Sequence, residues 1–541
     1  MQDVVSGRPL SNAQRLADTL ARLHEKAPAL VDFGAATVSA VLLILSFPDF
    51  NLWPLAWCAL VPLLLVVAMN RGRSRPFFLG WVFGTVFFYG SCYWLTYSMI
   101  HTGGISPLIA YPLLLPGAVL LGIFPGLFGL FMARAIRKWG TTAVFLAPVV
   151  WSGLEWSRLE VTGQLWNAIG YSQAFHHSLI GPARWGGVYA VGAVIIFVNS
   201  AIAFTLLRRT KRALWRSAVA VLLMAVATLV VNISMSLSAG EFITEKKTEA
   251  VVIAIQPNVP MDLVKSNDDM ELLTTRHFEM SEAALKQVQN STEPRLLIWP
   301  ESPMNFAYGG DERLRAALAS FAQRHHVSIL LNSQEIAPND GIYNSAVLIN
   351  EQGKLVAQYD KIRLLPFGEY VPLPDWVPGS GLIRAIVGDF TAGTNYRLMP
   401  VGNLRAGVFI CIESAYPAIA RRFTNEGADV LINISNDGYL GPTAVMRQHL
   451  ANAVFRAVEN GRPLLSVTNT GITAFVGPNG ETKDATSGFK PEVRIWSVSP
   501  PPGERTFYTK YGDVFVISCA IFSLLILVFT FVGSARKAGH D

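Results

Sequence analysis

The first 237 residues alternate long apolar stretches with short basic clusters. Apolar segments fall at about 33–49, 52–69, 77–99, 107–134, 142–158, 185–207 and 214–237, with one more at 514–533. Each approaches the roughly 20 residues needed to cross about 30 Å of hydrocarbon, so about eight transmembrane helices are expected. The fifth carries Glu155 and Arg158 at its end, and the Pro-bounded joint between the first two also admits a re-entrant pair. Arg71, Arg73 and Arg75 follow the second segment, Arg134, Arg137 and Lys138 the fourth, Arg208, Arg209, Lys211, Arg212 and Arg216 the sixth, and Arg536 and Lys537 the eighth. The alternate loops Pro48–Asn51 and His101–Pro107 contain neither lysine nor arginine. Basic loops stay in the cytoplasm. Both termini are therefore expected there, with loop 159–184 and segment 238–513 together on the outer face. Residues 1–32 lack the basic head and early apolar core of a secretory signal. They read as a cytoplasmic segment ahead of a retained anchor, and 534–541 as a cytoplasmic tail.

From about Thr248 the period changes. Short β-branched runs end in polar tips at Val251–Ile255, Leu296–Trp299, Val327–Leu331, Ala346–Ile349, Ala406–Ile410, Val430–Ile434 and Leu464–Val467. Helical patterns lie between several of them, at Met270–Gln289, Arg313–His325 and Ala444–Glu459. This alternation predicts a layered α/β domain. Residues 361–400 break the rhythm with Pro366, Pro372, Pro374 and Pro378, and with Gly368, Gly379, Gly381, Gly388 and Gly393. Their apolar residues, Val371, Leu373, Trp376, Val377, Leu382, Ile383 and Ile386 among them, argue against disorder and for a lid at the membrane surface.

Composition sharpens the division. Of 541 residues 51% are hydrophobic and only 15% charged, against about 25% charged in a typical soluble domain. Mean hydropathy is +0.36. The net charge of +6 comes largely from clusters between apolar segments, which points to membrane orientation rather than nucleic acid. Three of the four cysteines, Cys58, Cys92 and Cys519, lie in apolar segments, so Cys411 has no disulfide partner in the polar domain.

Cys411 ends the run Val408-Phe409-Ile410-Cys411-Ile412-Glu413-Ser414, which sets a thiol at a strand's tip, where chemistry in α/β sheets gathers. It is read as a nucleophile or as a buried structural thiol. Glu413 lies on the same face if the strand continues. Glu301, in Trp299-Pro300-Glu301-Ser302, also ends a strand, as a general base or a cap. Lys361 follows Tyr359-Asp360, as an oxyanion stabiliser or a surface lysine. Glu369 is placed to pair with Lys361. Trp166, with Tyr171, Ser172 and Gln173, anchors at the interface or lines a lipid path. The histidine pairs 176–177 and 325–326 point apart and make no metal site alone. Neither a Gly-rich phosphate loop nor a GxSxG elbow occurs.

In order and in flanking sequence, Glu301, Lys361 and Cys411 resemble the Glu-Lys-Cys triad of the nitrilase (carbon-nitrogen hydrolase) superfamily. Joined to the apolar segments, nearly the whole chain resembles the apolipoprotein N-acyltransferase family. The motifs that carry this are Trp299-Pro300-Glu301, Tyr359-Asp360-Lys361 through Pro366-Phe367-Gly368-Glu369, Ile410-Cys411 with Glu413, Asn433–Gly438, and Gly461-Arg462-Pro463-Leu464 through Thr468-Asn469-Thr470-Gly471. The resemblance implies a polytopic α-helical membrane domain over 33–237 plus an α/β nitrilase-like αββα sandwich over 238–513, on the periplasmic side of a bacterial inner membrane. It implies Cys411 as nucleophile, Glu301 as base, Lys361 as oxyanion stabiliser, Glu369 as a further carboxylate, Glu413 near the nucleophile, and the backbone N–H of Ile412 in the oxyanion hole. Gly163 and Trp166 match a family loop on the membrane side. With Trp376, Tyr439 and Asn436 they are the expected substrate-binding or lid residues. No metal or cofactor is implied. The implied partners are a phospholipid acyl donor and a diacylglyceryl-modified apolipoprotein, without nucleic acid. The implied reaction passes through a thioester on Cys411. A tethered amidase acting on a soluble molecule, and a non-enzymatic sensor or transporter, are the alternatives. Two positions depart from the family: Ile412 stands where tyrosine is common, and Gln256-Pro257-Asn258-Val259-Pro260 lacks the family's tryptophan, with Lys265 near its place.

Overall fold

The computed structural model describes residues 28–538 apart from 71, 73, 239–247, 262–265, 339–340, 372–375, 377–389 and 500–502. Residues 372–375 and 377–389 of the expected lid, and Lys265, fall outside the described residues.

Every apolar segment is helical. α1 is Pro28–Ser46 and α2 Val61–Met69, preceded by a 3-10 turn at Trp53–Trp57. α3 (Arg75–Ser91) and α4 (Leu95–His101) form one path bent by 51°. α5 is Pro107–Trp139, α6 Ala147–Thr162, α7 Ala183–Arg208, α8 Lys211–Ser238, and the last helix Val514–Ala538. Among the described residues, four helices are long and apolar enough to cross a membrane singly: α1, α5, α7 and α8. The bent α3–α4 pair makes five. The apolar stretches Trp53–Met69 and Val514–Thr530 are shorter, so the eight expected crossings become a mixture of long, broken and short helices.

Without a hydrophobic driving force in lipid, helices associate by close backbone approach through small residues. α3 and α5 do this through Gly80 and Gly84 against Gly122, Pro125 and Gly126. A Cβ on Gly80 would sit 2.0 Å from the Pro125 carbonyl oxygen, and one on Gly129 2.2 Å from that of Pro76.

Beyond α8 the chain builds two six-stranded sheets. β1 (Ala250–Gln256), β2 (Arg295–Trp299), β3 (Ser328–Ile336), β4 (Ile342–Ile349), β5 (Leu355–Asp360) and β12 (Glu492–Val498) form one, in the order β12-β1-β2-β3-β4-β5. β6 (Leu398–Val401), β7 (Leu404–Ile410), β8 (Val430–Ser435), β9 (Leu464–Thr468), β10 (Ala474–Val476) and β11 (Thr482–Lys483) form the other, in the order β11-β10-β9-β8-β7-β6. β1-β2-β3 and β7-β8-β9 are parallel. Successive side chains on a strand alternate faces. Val252, Ala254, Leu296 and Ile298 therefore join Ala406 and Val408 of the facing sheet, while Ile253, Ile255, Leu297 and Trp299 join the helix-side core. α9 (Asn267–Gln287) and α10 (Glu312–His325) cover the first sheet, and α11 (Pro417–Glu426) and α12 (Val445–Asn460) the second. This is the expected αββα sandwich. The unbroken apolar runs in the sequence reflect strands buried on both faces.

α12 lies between the second sheet and α7, and every residue from Gln448 to Asn460 is buried. Its polar stripe Gln448, Asn452, Arg456, Glu459 has the spacing of a single helix face. Arg456 pairs with Glu459 at 2.8 Å, both wholly enclosed, and donates to the Tyr171 hydroxyl at 3.2 Å. Gly186 and Gly187 interrupt α7, and the N–H of Val188, freed by that break, donates to Glu459 Oε1 at 2.9 Å. A carboxylate of the sandwich thus caps a restarted helix of the membrane unit.

Candidate active site

Glu301, Lys361 and Cys411 follow β2, β5 and β7, two from one sheet and one from the other. β2 ends because Pro300 has no N–H to continue the ladder. The face-to-face packing then brings three distant chain positions to one end of the sandwich.

Lys361 is 1% exposed. Its Nζ lies 2.9 Å from Glu369 Oε1 and 3.8 Å from Glu301 Oε1. Burial disfavours its charge, but the two carboxylates outweigh this and hold the ammonium well above its ordinary range. Glu301 accepts from the Asn344 amide at 2.9 Å and from the N–H of Asn436 at 3.1 Å. The same Asn344 nitrogen donates to Glu369 at 2.7 Å, and Glu369 also accepts from the N–H of Leu365 at 2.7 Å. Burial raises the Glu301 pKa; Lys361 opposes this and Glu369 adds to it. The Cys411 thiol is within hydrogen-bonding reach of Glu301. Burial, then the Glu301 charge, push the thiol up while Lys361 pulls it down. The resting sulfur keeps its proton, with a base of raised affinity beside it.

The backbone at Cys411 is left-handed, φ 53°, a region that non-glycine residues seldom adopt and that collects at functional sites. β7 ends at Ile410 and a 3-10 turn runs from Cys411 to Ala415. The expectation that Glu413 shares a strand face with Cys411 is therefore corrected. Glu413 is completely enclosed and accepts from the N–H groups of Ile410, Ile362 and Arg363 at 2.8, 2.8 and 3.0 Å, and from the Tyr359 hydroxyl at 2.8 Å. It staples the Cys411 turn to the Lys361 loop. The N–H of Ile412 falls in the first turn of the 3-10 segment, where helix geometry supplies no acceptor.

The remaining candidates divide. Asn436 braces Glu301 through its backbone and buries its side chain against Gly438, Asn469 and Met261, a strut rather than a lid residue. Tyr439 is 43% exposed, and desolvation with the nearby Glu301 and Glu369 charges pushes its phenol up to about 12. Trp376 is 81% exposed, away from the core. Gly163 is the left-handed C-cap of α6, φ 66°. A Cβ there would lie 3.8 Å from the Tyr416 hydroxyl. Trp166 is no headgroup anchor. It is buried, donates to Gln448 Oε1 at 2.8 Å and packs against His449 with ring centroids 5.9 Å apart and the planes tilted by 51°. It is placed there because Glu155 and Arg158 turn inward to hold its loop, through the N–H of Ile169 and the carbonyls of Trp166 and Leu165.

Sequence reasoning missed Asn344, His449 and Gln448. Gln448 uses every hydrogen-bonding position of its amide. Trp94 and Trp166 donate to its oxygen, and its nitrogen donates to the carbonyls of Pro48 and Ser91. The available signal was polar residues at consecutive turns of an otherwise apolar helix.

Residues 39–201 match the family model for the apolipoprotein N-acyltransferase N-terminal domain, and residues 276–501 that for carbon-nitrogen hydrolases. An apolipoprotein N-acyltransferase from Geobacter metallireducens is 30% identical over 517 residues, 94% of this chain and 96% of the relative. The chain belongs to the apolipoprotein N-acyltransferase family. Other family members, from Bradyrhizobium diazoefficiens and Chromobacterium violaceum, are 30% and 28% identical over 88% and 94% of this chain, and 91% and 95% of their own lengths. In this chain apolar helices precede a carbon-nitrogen hydrolase sandwich.

Proposed function

We propose that this family member transfers an acyl chain from the sn-1 position of a phospholipid to the free α-amine of a diacylglyceryl-cysteine at the N-terminus of an apolipoprotein. The observation that carries it is the meeting of Cys411, Glu301, Lys361 and Glu369 in one enclosed cluster whose neighbouring helix rests on the membrane unit. Glu301 takes the thiol proton as sulfur attacks the ester carbonyl, and Lys361 with the N–H of Ile412 stabilises the oxyanion. The tetrahedral adduct collapses, the sn-1 alkoxide leaves as lysophospholipid with the proton from Glu301, and an acyl thioester remains on Cys411. The amine then attacks that carbonyl, Glu301 removes its proton, and the thiolate departs and is reprotonated. One ester is exchanged for one amide in two half-reactions.

This reading sets residues 33–237 and 514–533 in a bacterial inner membrane, 238–513 in the periplasm, with 1–32 and 534–541 in the cytoplasm. The charge pattern of the loops supports it. Intact-protein mass spectrometry after incubation with phospholipid tests the chemistry. The wild type gains one acyl mass, which amine acceptor removes, and Cys411→Ala gains none. An unmodified wild type, or an adduct on Cys411→Ala, would refute the assignment, and hydrolysis of soluble amides without lipid would favour a tethered amidase.

A further inference from the structure

One buried titratable pair has no part in that chemistry. Asp437 follows β8 and His449 stands on α12, 3% and 6% exposed. His449 Nδ1 lies 2.8 Å from Asp437 Oδ1, and Nε2 lies 2.9 Å from the carbonyl oxygen of Cys411. A carbonyl oxygen only accepts, so Nε2 bears hydrogen. A carboxylate only accepts, so Nδ1 bears one also. A ring with both nitrogens protonated is a cation. The amide nitrogen of Asn433 is 3.5 Å from Nε2, while its oxygen is buried without a partner. Turning that amide over, an assignment fixed only by its neighbours, sets an acceptor rather than a second donor beside Nε2–H.

The acceptor of the His449 bond belongs to the peptide unit that joins Cys411 to Ile412. A trans peptide is planar, with C=O and N–H pointing opposite ways. Anchoring the oxygen therefore aims the N–H of Ile412, and a cation on the oxygen polarises the unit so that this N–H donates more strongly. We infer that His449, kept as an imidazolium by Asp437, is a positioning residue that orients and polarises the oxyanion-binding peptide. The inference rests on the reading of Cys411 as nucleophile. Burial opposes the charged ring, but the Asp437 carboxylate and its hydrogen bond, the Cys411 carbonyl and Glu301 outweigh it and raise the His449 pKa. The charged groups that act on the ring are Asp437 beyond β8 and Glu301 beyond β2, and from beyond β7 Cys411 presents its backbone carbonyl. Trp166 packs against it without charge.

The test compares two reactions of the same sulfur in full-length protein. Acylation by phospholipid forms an oxyanion, whereas alkylation by iodoacetamide displaces iodide and forms none. In Asp437→Asn the ring loses its counter-charge and its pKa falls. Acylation is expected to drop about tenfold near about pH 6 and about a hundredfold near about pH 8, while alkylation of Cys411, read by peptide mass, stays within about twofold of wild type. His449→Gln keeps a donor but no charge, so its acylation deficit is the same at both pH values, and it decides the matter if Asp437→Asn does not fold. A pH-independent deficit in Asp437→Asn, or equal losses in acylation and alkylation in either variant, overturns the inference and leaves the nucleophile reading intact. A wild type that alkylates but never acylates removes the nucleophile reading, and this inference with it.

Discussion

Two enclosed charge clusters lie in the same structural unit, and their difference separates a working site from a joint. At the seam with the membrane helices, one cation meets one carboxylate: Arg456 and Glu459, both wholly buried, with Tyr171 and the N–H of Val188 as further partners. In the cleft one cation meets two carboxylates and a thiol: Lys361 with Glu369, Glu301 and Cys411. The seam matches one cation to one carboxylate, although Arg456 Nε and Glu459 Oε2 are buried without hydrogen-bond partners. The cleft holds more acid than base, a strained backbone at Cys411 and a cysteine that as a residue is only partly buried. Such a cluster crowds three acidic groups around one cation, so they cannot all ionise without mutual repulsion. Its arrangement makes sense when protons move within it.

The sharpest way to break the comparison is at the seam. Arg456→Ala leaves Glu459 enclosed without its cation, which should destabilise the protein by about 3–5 kcal/mol, measured by thermal or chemical unfolding in detergent. The double change Arg456→Met with Glu459→Leu should recover part of that, because the N–H of Val188, the Tyr171 hydroxyl and the Ser414 carbonyl lose partners but no buried charge remains. Acylation per folded molecule should be unaffected. If Arg456→Ala unfolds no earlier than Lys286→Ala, whose side chain is 72% exposed, the seam pair carries no structural load.

Within the cleft, Glu369→Gln removes the nearer anchor of Lys361 without emptying the space. Acylation should fall about a hundredfold as the ammonium loses its fixed position, with a smaller change in stability than at the seam. The pH profile carries a sign as well. Glu369 is one of the charges that raise the Glu301 pKa, so neutralising it lets Glu301 ionise at lower pH. The acid limb of the acylation rate should move to lower pH in the variant. A limb that stays in place, or moves upward, would show that the limb belongs to a group other than Glu301.

Much of this contrast was legible before any coordinates. Glu301 and Cys411 each follow an apolar run, and a run that stops at a polar residue marks a strand's tip, whereas Lys361 follows the mixed Ala357-Gln358-Tyr359-Asp360 and stood out only by the resemblance. Glu413 was seen but misplaced, since one left-handed residue at Cys411 turned a strand face into a staple. His449 and Gln448 were hidden for a different reason. Their partners, the Cys411 carbonyl and the loops at Pro48, Ser91, Trp94 and Trp166, are tertiary, and no local spacing encodes them. The apolar segments gave away their positions but not their crossings. Bends such as that between α3 and α4, and breaks such as Gly186-Gly187, depend on what packs alongside.

The smallest expected effect is at Ile412, where tyrosine is the more common residue in the family. Its side chain packs against the apolar cluster that includes Trp94 and Trp166, and its assigned role belongs to the backbone N–H. Ile412→Tyr changes the ring and hydroxyl but leaves that N–H where the His449 clamp and the Glu413 staple hold it. Acylation of Cys411 should therefore stay within about threefold of wild type, while the rate of alkylation is unchanged. The added volume falls on the apolar cluster, so any effect should appear in phospholipid KM rather than in the rate of thioester formation at saturation. A gain of a hundredfold in that saturated rate would mean that the hydroxyl acts on the reacting atoms, and that this chain compensates for its absence elsewhere in the cleft.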